Sequence, residues 1–464
     1  MKKNQRHLTH LYWRAGFGLS PKEWNKKKNW SVSRAVTDLF REVETATALD
    51  DTAIRSLLSE AEIKKKNAKK RSELRKRARA LVFQQNINWI QRMASSEHSP
   101  LLEKMCLFWH DHFACTIKNP RLAYSQLTTI RKHALGNFRE FVQAMAKDAA
   151  MIRFLNNQQN KKNSPNENFA RELMELFTLG RGHYTEQDIK EAARAFTGWS
   201  SGAGGIYNFR KNHHDYGQKT FMGHSGNLSG EDIVNILLDK KQTAVFITTK
   251  IYQYFVHDKV DEKRVQQLAN HFYDSDYNIG NLMKEIFMSD WFYSANNIGV
   301  KIKSPVELVA GILRQLQVDM DDKKTFRFIQ KALGQRLFDP PNVAGWPGGK
   351  FWIDNSTLML RLNLVNFLYG KTEVNFKVKD ELESQRRGQA FKKINGNINF
   401  EDLLNTFSKK EQGDIFEGMK AFLLQTKISP GKSTLESFVI QSNREDYVKS
   451  LALRLMTLPE YQMY

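Results

Sequence analysis

One short segment of the chain separates its apolar and polar residues onto two sides of a predicted helix. At about 100° per residue, the apolar stripe consists of Phe169, Ala170, Leu173, Leu176 and Phe177. The other side carries Glu167, Asn168, Arg171, Glu172, Glu175 and Thr178. A solvated face explains this pattern, and so does a polar site inside the protein. The pattern therefore predicts a helix and leaves its environment open.

Helix signals of this kind dominate the chain. SPVE (304–307) places Ser at the N-cap, Pro at the first helical position and Glu at the third, so that side chains satisfy the free N–H groups of a helix start. SPNE (164–167) repeats the device, and TEQD (185–188) is a weaker version whose helix we expect to end at Gly198. The predicted helices are 32–41, 52–97 (with a break allowed), 100–114, 121–134, 138–147, 166–179, 186–197, 231–239, 243–256, 261–273, 280–289, 305–317 and 356–369, and the C-terminal third continues in this manner.

Two segments are predicted to be irregular. Residues 198–223 begin with a Gly-rich stretch that is too flexible for a helix, and the alternation at Tyr207 and Phe209 predicts a short β-hairpin. Residues 338–352, FDPPNVAGWPGGKFW, contain paired prolines and glycines that exclude a helix or a central strand. The aromatic residues of this second loop predict that it packs inward. Alternating strand patterns are scarce elsewhere, so we predict a mainly α fold: one large helical domain over 1–464 with a minor β-hairpin and long irregular Gly/Pro/Trp loops.

The composition adds a strong positive charge to this picture. The 464 residues include 71 Lys and Arg against 50 Asp and Glu, which gives a formal net charge of +21 and favours anionic partners. A basic run at 61–80 lies within a predicted helical hairpin or arm, residues 52–97, that we expect to protrude from the domain. A solvated helix and an anion-binding arm both explain this run. Nucleic acid, an acidic polysaccharide and a membrane surface therefore all stay open as partners.

Several classes of protein are disfavoured by what the sequence lacks. Cys106 and Cys115 form neither a disulfide framework nor a CxxC metal site. The N-terminus has no continuous apolar region, so no secretory signal is predicted, and no run reaches the ~18 apolar residues of a spanning helix. We therefore expect a cytoplasmic protein, with export alongside a partner as the alternative. The sequence also lacks a phosphate-binding P-loop, an HExxH motif and a GxSxG elbow.

Eight segments together resemble a known bacterial family. They are LYWRAGFG (11–18), WHDHF (109–113), NENFARELMELFTLG (166–180), YTEQDIKEAARAFTGW (184–199), HDYGQKTFMG (214–223), TAVFITTKIYQYFV (243–256), KSPVEL (303–308) and LFDPPNVAGWPGG (337–349). In this order they resemble the family known only as domain of unknown function number eighteen hundred, over nearly the whole chain. The resemblance implies no established activity. It does imply an association with a second family that resembles sulfatases and alkaline phosphatases, and the Lys-rich stretch around 61–80 departs from the family pattern.

The carboxylates of the polar helix are the first candidates for chemistry. Glu172 and Glu175 are three residues apart and can point the same way, and Arg171 lies four residues before Glu175. In a buried site, two adjacent carboxylates held by one arginine can ligate a metal or act as an acid/base pair with separated pKa values. On an exposed face they form an ordinary ion pair. The family resemblance, centred on this face, favours a functional role.

Histidines supply the next candidates. His110 and His112 lie about 200° apart on a helix, so they cannot both face one ion, and a core histidine is the simpler interpretation of each. His214 and Asp215 lie in the irregular loop, where they could ligate a metal or form an oriented base, although turn chemistry also explains Asp215. The candidate ligands of a divalent metal are Glu172, Glu175, His214 and His110.

Further polar and aromatic residues are candidates for substrate binding. These are Asn168, Arg194, Lys219, Trp346 and Arg361. The cations among them would complete an anion pocket, and the tryptophan would stack on a sugar or a base. Core packing is the more common role for tryptophan. Lys250 also belongs to the cations near the family motifs, although a lysine whose stem packs on apolar surface explains it as well.

These predictions combine into one hypothesis with two alternatives. We expect the polar helix, the WHDHF helix and the His214 loop to converge on a central pocket roofed by the GWPGG loop. The favoured function is a hydrolase for an anionic or sugar-like substrate, with Glu172 and Glu175 as ligands or acid/base groups, His214 and Asp215 as ligand or base, and Arg171 orienting the carboxylates. The alternatives are a non-catalytic partner of a sulfatase-like protein, acting in folding, export or substrate presentation, and an anion- or nucleic-acid-binding protein.

Overall fold

The computed structural model describes residues 3–55, 57, 65–320, 323–370, 396–408, 411–427 and 431–464. Over these residues the backbone is mainly helical, as predicted, with three small two-stranded sheets. Residues 61–64 of the basic run lie outside the described residues, as does part of the predicted arm over 52–97.

The helices follow the predicted order with small shifts at their ends. They are α1 (Lys3–Arg14), α2 (Pro21–Lys27), α3 (Val32–Glu44), α4 (Thr52–Arg55), α5 (Ala68–Ala94), α6 (Pro100–His112), α7 (Pro120–His133), α8 (Phe138–Ala146), α9 (Ala149–Phe154), α10 (Asn168–Glu172), α11 (Glu186–Ala195), α12 (Gly230–Leu238), α13 (Lys241–Phe255), α14 (Glu262–Asp274), α15 (Ile279–Met288), α16 (Pro305–Leu316), α17 (Lys323–Leu333), α18 (Asn355–Leu368), α19 (Glu401–Phe407), α20 (Gln412–Leu423), α21 (Lys432–Glu436) and α22 (Arg444–Met456). The sequence pattern did not predict α1, α2 or α9.

Two of the three predicted capping boxes form. The Ser304 hydroxyl accepts from the Glu307 N–H at 3.3 Å, and the Glu307 carboxylate accepts from the Ser304 N–H at 2.7 Å. Thr185 and Asp188 make the same reciprocal pair at the start of α11. Both boxes satisfy backbone donors that the first turn of a helix leaves free.

The prediction of a cap at Ser164 is wrong. The backbone N–H of Ser164 donates to Lys161 O at 2.8 Å, and the side-chain oxygen of Asn160 accepts from the Asn166 N–H at 2.9 Å. These bonds hold residues 161–166 in a turn, so α10 begins only at Asn168.

Short antiparallel hairpins occupy the segment after α11. β1 (Trp199–Ser201) pairs with β2 (Tyr207–Phe209), and β3 (Lys219–Phe221) pairs with β4 (His224–Gly226). The minor β-hairpin predicted within 198–223 is therefore confirmed, and the segment that begins there forms two hairpins. A third pair joins β5 (Val318–Asp319) to β6 (Asn397–Ile398).

Two helices form the centre of the core. Every residue from Pro100 to His110 in α6 is buried, and so is every residue of α16. A helix that is apolar on nearly all sides belongs in such a position. α5 packs against both central helices, and α7 packs against α6.

None of the described helices combines the length and the apolarity that a membrane-spanning segment needs.

Charged groups are sealed between the two central helices. Lys104 of α6 and Glu307 of α16 form an ion pair, with 1% and 2% of their side chains exposed. The Tyr464 hydroxyl donates to the same Glu307 oxygen at 2.8 Å. Burial acts to raise the pKa of Glu307, but Lys104 and the other donors outweigh it, and the net shift of this pKa is downward.

Further cations surround this pair. The Lys303 ammonium lies 3.6 Å from the ring centroids of both Trp13 and Tyr461. Arg14, also fully buried, donates to the backbone oxygens of Asn297 at 2.7 Å and Tyr464 at 3.1 Å. Aromatic faces and carbonyl oxygens thus replace water around cations that carboxylates alone would not balance.

Candidate functional site

The polar segment over residues 167–178 changes helix type halfway. α10 is followed by a π-helix, Leu173–Thr178, after which Leu179 N–H donates to Met174 O, five residues earlier, at 2.9 Å. The segment ends at Gly180, whose φ of +83° and close approach to the Phe246 ring leave no room for a side chain. π-helical turns are rare and frequently occur at functional sites.

Glu172 and Glu175 lie close together, but their environments differ. The Glu175 carboxylate forms an ion pair with Arg181 and accepts from the Tyr184 hydroxyl at 2.9 Å. Burial acts to raise the pKa of Glu175, and these two donors outweigh it, so the net shift is downward. No described residue donates to the Glu172 carboxylate, and burial followed by the charge of Glu175 raises its pKa. The two glutamates therefore have pKa values shifted in opposite directions.

Arg171 does not make an ion pair with either of these two carboxylates. Its guanidinium makes two 2.9 Å bonds to Glu186 and one of 3.3 Å to Glu167. About a third of the Arg171 side chain is exposed, so these pairs contribute little to stability. Asn168 donates to Leu155 O at 3.1 Å and thereby fastens the start of α10.

His214 and Asp215 tie the hairpin loop to α11. His214 is buried and its Nδ1 donates to Thr197 O at 2.9 Å. The Asp215 carboxylate accepts from Arg194 Nε at 2.8 Å and from the Gly217 N–H at 2.8 Å. Burial acts to raise the pKa of Asp215, but Arg194 and the Gly217 N–H outweigh it and lower this pKa.

Lys219 completes this second cluster. Its side chain is almost fully buried, and the ammonium donates to Gly217 O at 3.1 Å and to Asn227 at 3.3 Å. Arg194 also donates to Glu191 at 2.9 Å. Through these contacts, Arg194 and Lys219 hold the loop in place.

The two clusters lie at opposite ends of α11. Glu186, which binds Arg171, is the first residue of α11, and Arg194, which binds Asp215, is next to its last. Eight residues of α-helix correspond to about 12 Å. The predicted convergence of the polar helix with the His214 loop is therefore not found.

His110 is a core histidine. Its Nε2 accepts from the Phe338 N–H at 3.0 Å, and its ring packs between Trp89 and Trp346, 5.2 and 5.6 Å away. Burial lowers the pKa of His110 to about 3, so the ring is neutral near pH 7. Across the residues that the structure describes, no group of three or more His, Cys, Asp and Glu side chains is placed to hold a metal ion.

Two more predicted binding residues lie inside the protein. Arg361 is completely buried and donates to Gln462 at 3.1 Å and to Lys303 O at 2.5 Å. Trp346 is 5% exposed, as the inward packing of its loop predicts. Neither side chain presents itself to a substrate.

Asp111, which the sequence analysis did not select, lies under the Trp346 loop. Its Oδ1 accepts from the Trp346 N–H at 2.7 Å. Gly345 approaches so closely that a Cβ atom there would overlap Asp111 Oδ1. The side chain is half-buried, and burial raises the pKa of Asp111 to about 7, against the weaker lowering by the Trp346 N–H and Lys250.

One face of α13 lies beside Asp111. Lys250 is exposed, its ammonium lies 5.4 Å from the Phe246 ring centroid, and its charge acts on both Asp111 and His112. Burial and then Lys250 lower the pKa of His112 to about 3, and its Nε2 lies 3.2 Å from Phe177 O in the π-helix. The Asp111 site is therefore bounded by α6, α13 and the Trp346 loop, with the π-helix packed beside it.

A signal for Asp111 was present in the sequence. It is a carboxylate near the end of a helix rich in large apolar residues, and burial of a carboxylate raises its pKa. Asp111 is covered by the loop over residues 338–352. Gly345 and Trp346 of this loop lie in close contact with the Asp111 carboxylate.

The fold and this site define a mainly helical protein with one half-buried carboxyl under a Gly/Pro/Trp loop. A family model described as "Protein of unknown function (DUF1800)" matches residues 10–463, and the chain belongs to this family. Among curated proteins and among solved structures, none matches the chain. The family match spans the helices and the loop that form the Asp111 site.

Proposed function

We propose that this protein is a hydrolase for anionic or sugar-like substrates and that the Asp111 carboxyl is its acid/base group. The observation that carries the proposal is the pKa of about 7 of this half-buried carboxyl. A group that is half protonated near neutral pH can both give and take a proton, which is the condition for efficient general acid/base catalysis. Perturbed carboxyls of this kind concentrate at active sites.

The neighbours of Asp111 support distinct roles for its two oxygens. The Trp346 N–H fixes Oδ1 at 2.7 Å, and no described group donates to Oδ2. Oδ2 would therefore transfer the proton. The exposed Lys250 ammonium would hold a negatively charged group of the substrate, and the net charge of +21 would draw such a substrate to the protein.

The Glu172–Glu175 pair is the second candidate for the acid/base role. Their pKa values are shifted in opposite directions, as an acid and a base require. Glu175, however, is already occupied by Arg181 and Tyr184. We therefore place Asp111 first.

The test is hydrolysis of p-nitrophenyl phosphate, sulfate, acetate and β-glucoside by the parent and by three variants. Asp111→Asn keeps the shape and the acceptor for Trp346 N–H but cannot transfer a proton, so kcat on the accepted substrate should fall by about 100-fold or more. Glu186→Gln, at an exposed carboxylate, should leave kcat unchanged. The pH profile of the parent should have one limb near pH 7.

Each other result has a defined meaning. If Glu172→Gln abolishes activity and Asp111→Asn does not, the acid/base group lies on the π-helix. If the parent hydrolyses none of the four substrates, the hydrolase proposal fails for these bond types. The second candidate, a non-catalytic partner of a sulfatase-like protein, then gains weight.

One observation favours the role of a non-catalytic partner of a sulfatase-like protein. A polar network built on Lys104 and Glu307 is sealed within the core and fixes the arrangement of its helices. A partner protein needs such a rigid body and no acid/base site. Its test is the yield and activity of a co-expressed sulfatase-like protein with and without this chain, since a folding or export role predicts that both fall when the chain is absent.

A further inference from the structure

A cavity lies on the far side of the aromatic wall behind the Asp111 site. Its volume is about 340 Å³, and it opens between α5 and α7 next to residues 49–50. Trp89 and Phe338 line it, and the same two rings contact His110, which in turn packs on Trp346. The volume falls within the range of small-molecule sites in proteins.

The inner surface of the cavity is apolar and rigid. Besides Trp89 and Phe338, it is formed by Leu49, Ala123 and Leu127. The Trp89 indole N–H donates to the buried Glu103 carboxylate at 3.0 Å, which fixes the plane of the ring. A fixed aromatic plane next to aliphatic side chains is complementary to a flat apolar molecule.

The charged groups that line the cavity are already engaged. Arg92 donates to Glu103 at 2.7 Å, to Ala48 O at 3.3 Å and to the Thr47 hydroxyl at 2.8 Å. Asp50 accepts from the Thr52 N–H at 2.9 Å and from its hydroxyl at 2.6 Å. These bonds leave little capacity for an ionic ligand.

The remaining polar groups are neutral. Burial and then Arg92 lower the pKa of His98, so this imidazole is uncharged at neutral pH. Asn88 and Gln91 are exposed at the rim, three residues apart on α5. The Asn88 side-chain oxygen accepts from Gln84 at 2.7 Å, and the Asn88 amino group and the Gln91 amide can bond to a ligand. The rim therefore suits hydrogen bonds to an uncharged ligand.

We propose that this cavity binds a flat, uncharged small molecule, an aromatic or heteroaromatic compound with one or two hydrogen-bonding groups. The ring system would lie against Trp89, and its polar edge would face Asn88 and Gln91. The proposal is independent of the hydrolase activity, because it uses neither the Asp111 carboxyl nor Lys250.

The test uses two fluorescent probes that share their rings and differ in charge. N-phenyl-1-naphthylamine is neutral, and 8-anilinonaphthalene-1-sulfonate is its anionic relative. We expect the neutral probe to bind the parent with 1:1 stoichiometry and with the same affinity at 50 and 500 mM NaCl. Saturable binding of the sulfonate alone, lost at high salt, would show only attraction to the basic surface and would overturn the proposal.

Substitutions at the exposed rim locate the probe. Asn88→Trp and Gln91→Trp should each weaken binding of the neutral probe at least tenfold by covering the mouth of the cavity. Ala80→Trp, at an exposed position two turns earlier on α5, should bind as the parent does. Equal affinity in all three variants, each checked by its thermal midpoint, would contradict the proposal.

Hydrogen exchange measured on the parent protein locates the bound probe without any substitution. Bound probe should slow exchange of backbone amides in residues 85–95 and 120–127, which surround the cavity. Protection confined to other parts of the chain, including 241–255 beside Asp111, would place the probe elsewhere and overturn the proposal.

Discussion

The charge of Asp111 depends on two opposing effects. Burial against the Trp346 loop favours the neutral acid, while the Trp346 N–H and Lys250 favour the carboxylate, and the balance raises the pKa of Asp111 to about 7. Glu175 shows the opposite balance, because Arg181 and Tyr184 lower its pKa despite some burial. The same chemical group, a carboxyl, thus has its pKa shifted upward in one place and downward in another by its surroundings.

The raised pKa makes a prediction about stability. Asp111 in the unfolded chain ionises with a pKa near 3.8, and in the folded protein only near 7. As pH rises from about 4 to about 7, the unfolded state is therefore stabilised first and the parent loses stability. Asp111→Asn lacks this ionisation, so its stability relative to the parent should increase by about 1–3 kcal/mol between pH 5 and pH 8.

Urea unfolding of both proteins at the two pH values measures this difference. Glu97→Gln, at an exposed carboxyl, serves as the control and should show no comparable trend. A difference between Asp111→Asn and the parent that does not change with pH would show that Asp111 titrates normally in the folded protein.

Among the elements, the loop over 338–352 depends on contacts with α6. The Asp111 carboxylate accepts from the Trp346 N–H, and His110 accepts from the Phe338 N–H at 3.0 Å, so consecutive residues of α6 hold the start and the middle of the loop. Gly345 permits the close approach, both through its φ of +86° and through its missing Cβ.

Substitution at Gly345 should therefore be far more harmful than backbone strain alone explains. Gly334 has the same φ of +86° and no heavy atom within 4 Å of a Cβ placed there, so Gly334→Ala reports the strain alone, about 1–2 kcal/mol. Gly345→Ala adds an overlap with Asp111 and should lower stability by at least about 2 kcal/mol more. Thermal unfolding of both variants tests this, and equal effects would mean that the loop moves away freely.

Most of the helices were predictable because each of them carries its own apolar face and its own end signals. The SPVE and TEQD boxes gave correct helix starts because their partners lie within four residues. The SPNE segment failed because contacts from Asn160 and Lys161 hold its backbone in a turn. The π-helix could not be predicted from helical spacing. Its wider turn depends on packing and on the end of the segment at Gly180.

The site was less predictable than the fold. Spacing along one helix correctly brought Glu172 near Glu175. Arg171 makes its two shorter bonds to Glu186, on the following helix, which helical spacing cannot reveal. Asp111 depends on Gly345 and Trp346, more than 230 residues away, and only the folded chain brings them together.

At the scale of the whole molecule, positive charge exceeds negative charge both outside and inside. The surface excess follows from the net charge of +21. Inside, Lys104, Lys303, Arg14 and Arg361 are all fully buried, and Glu307 is the carboxylate that faces them. The stability of this cluster of cations therefore depends mainly on one anion.

Removing that anion should be severe. Glu307→Gln keeps an acceptor for the Ser304 N–H but leaves Lys104 without its counter-charge, and we expect a loss of about 3–5 kcal/mol. Glu186→Gln removes an exposed ion pair with Arg171 and should change stability by about 1 kcal/mol or less. Chemical unfolding of both variants distinguishes the two cases, and similar small losses would mean that the aromatic rings alone sustain the buried cations.

The surface excess predicts a dependence on salt. Because like charges repel in the compact state, raising NaCl from 20 to 300 mM should screen the repulsion and raise the thermal midpoint by a few degrees. A midpoint that falls with NaCl would mean that surface ion pairs outweigh the repulsion.

The buried lysines Lys104 and Lys303 can also be used to detect unfolding of the chain. Amine-reactive reagents modify lysines that meet solvent, so brief labelling of the native protein should spare Lys104 and Lys303 while exposed lysines react. Modification of these two residues requires the central helices to separate, an opening close to complete unfolding. Mass spectrometry of peptides that contain them would then follow the lifetime of the folded core directly, in a cell extract as readily as in purified solution.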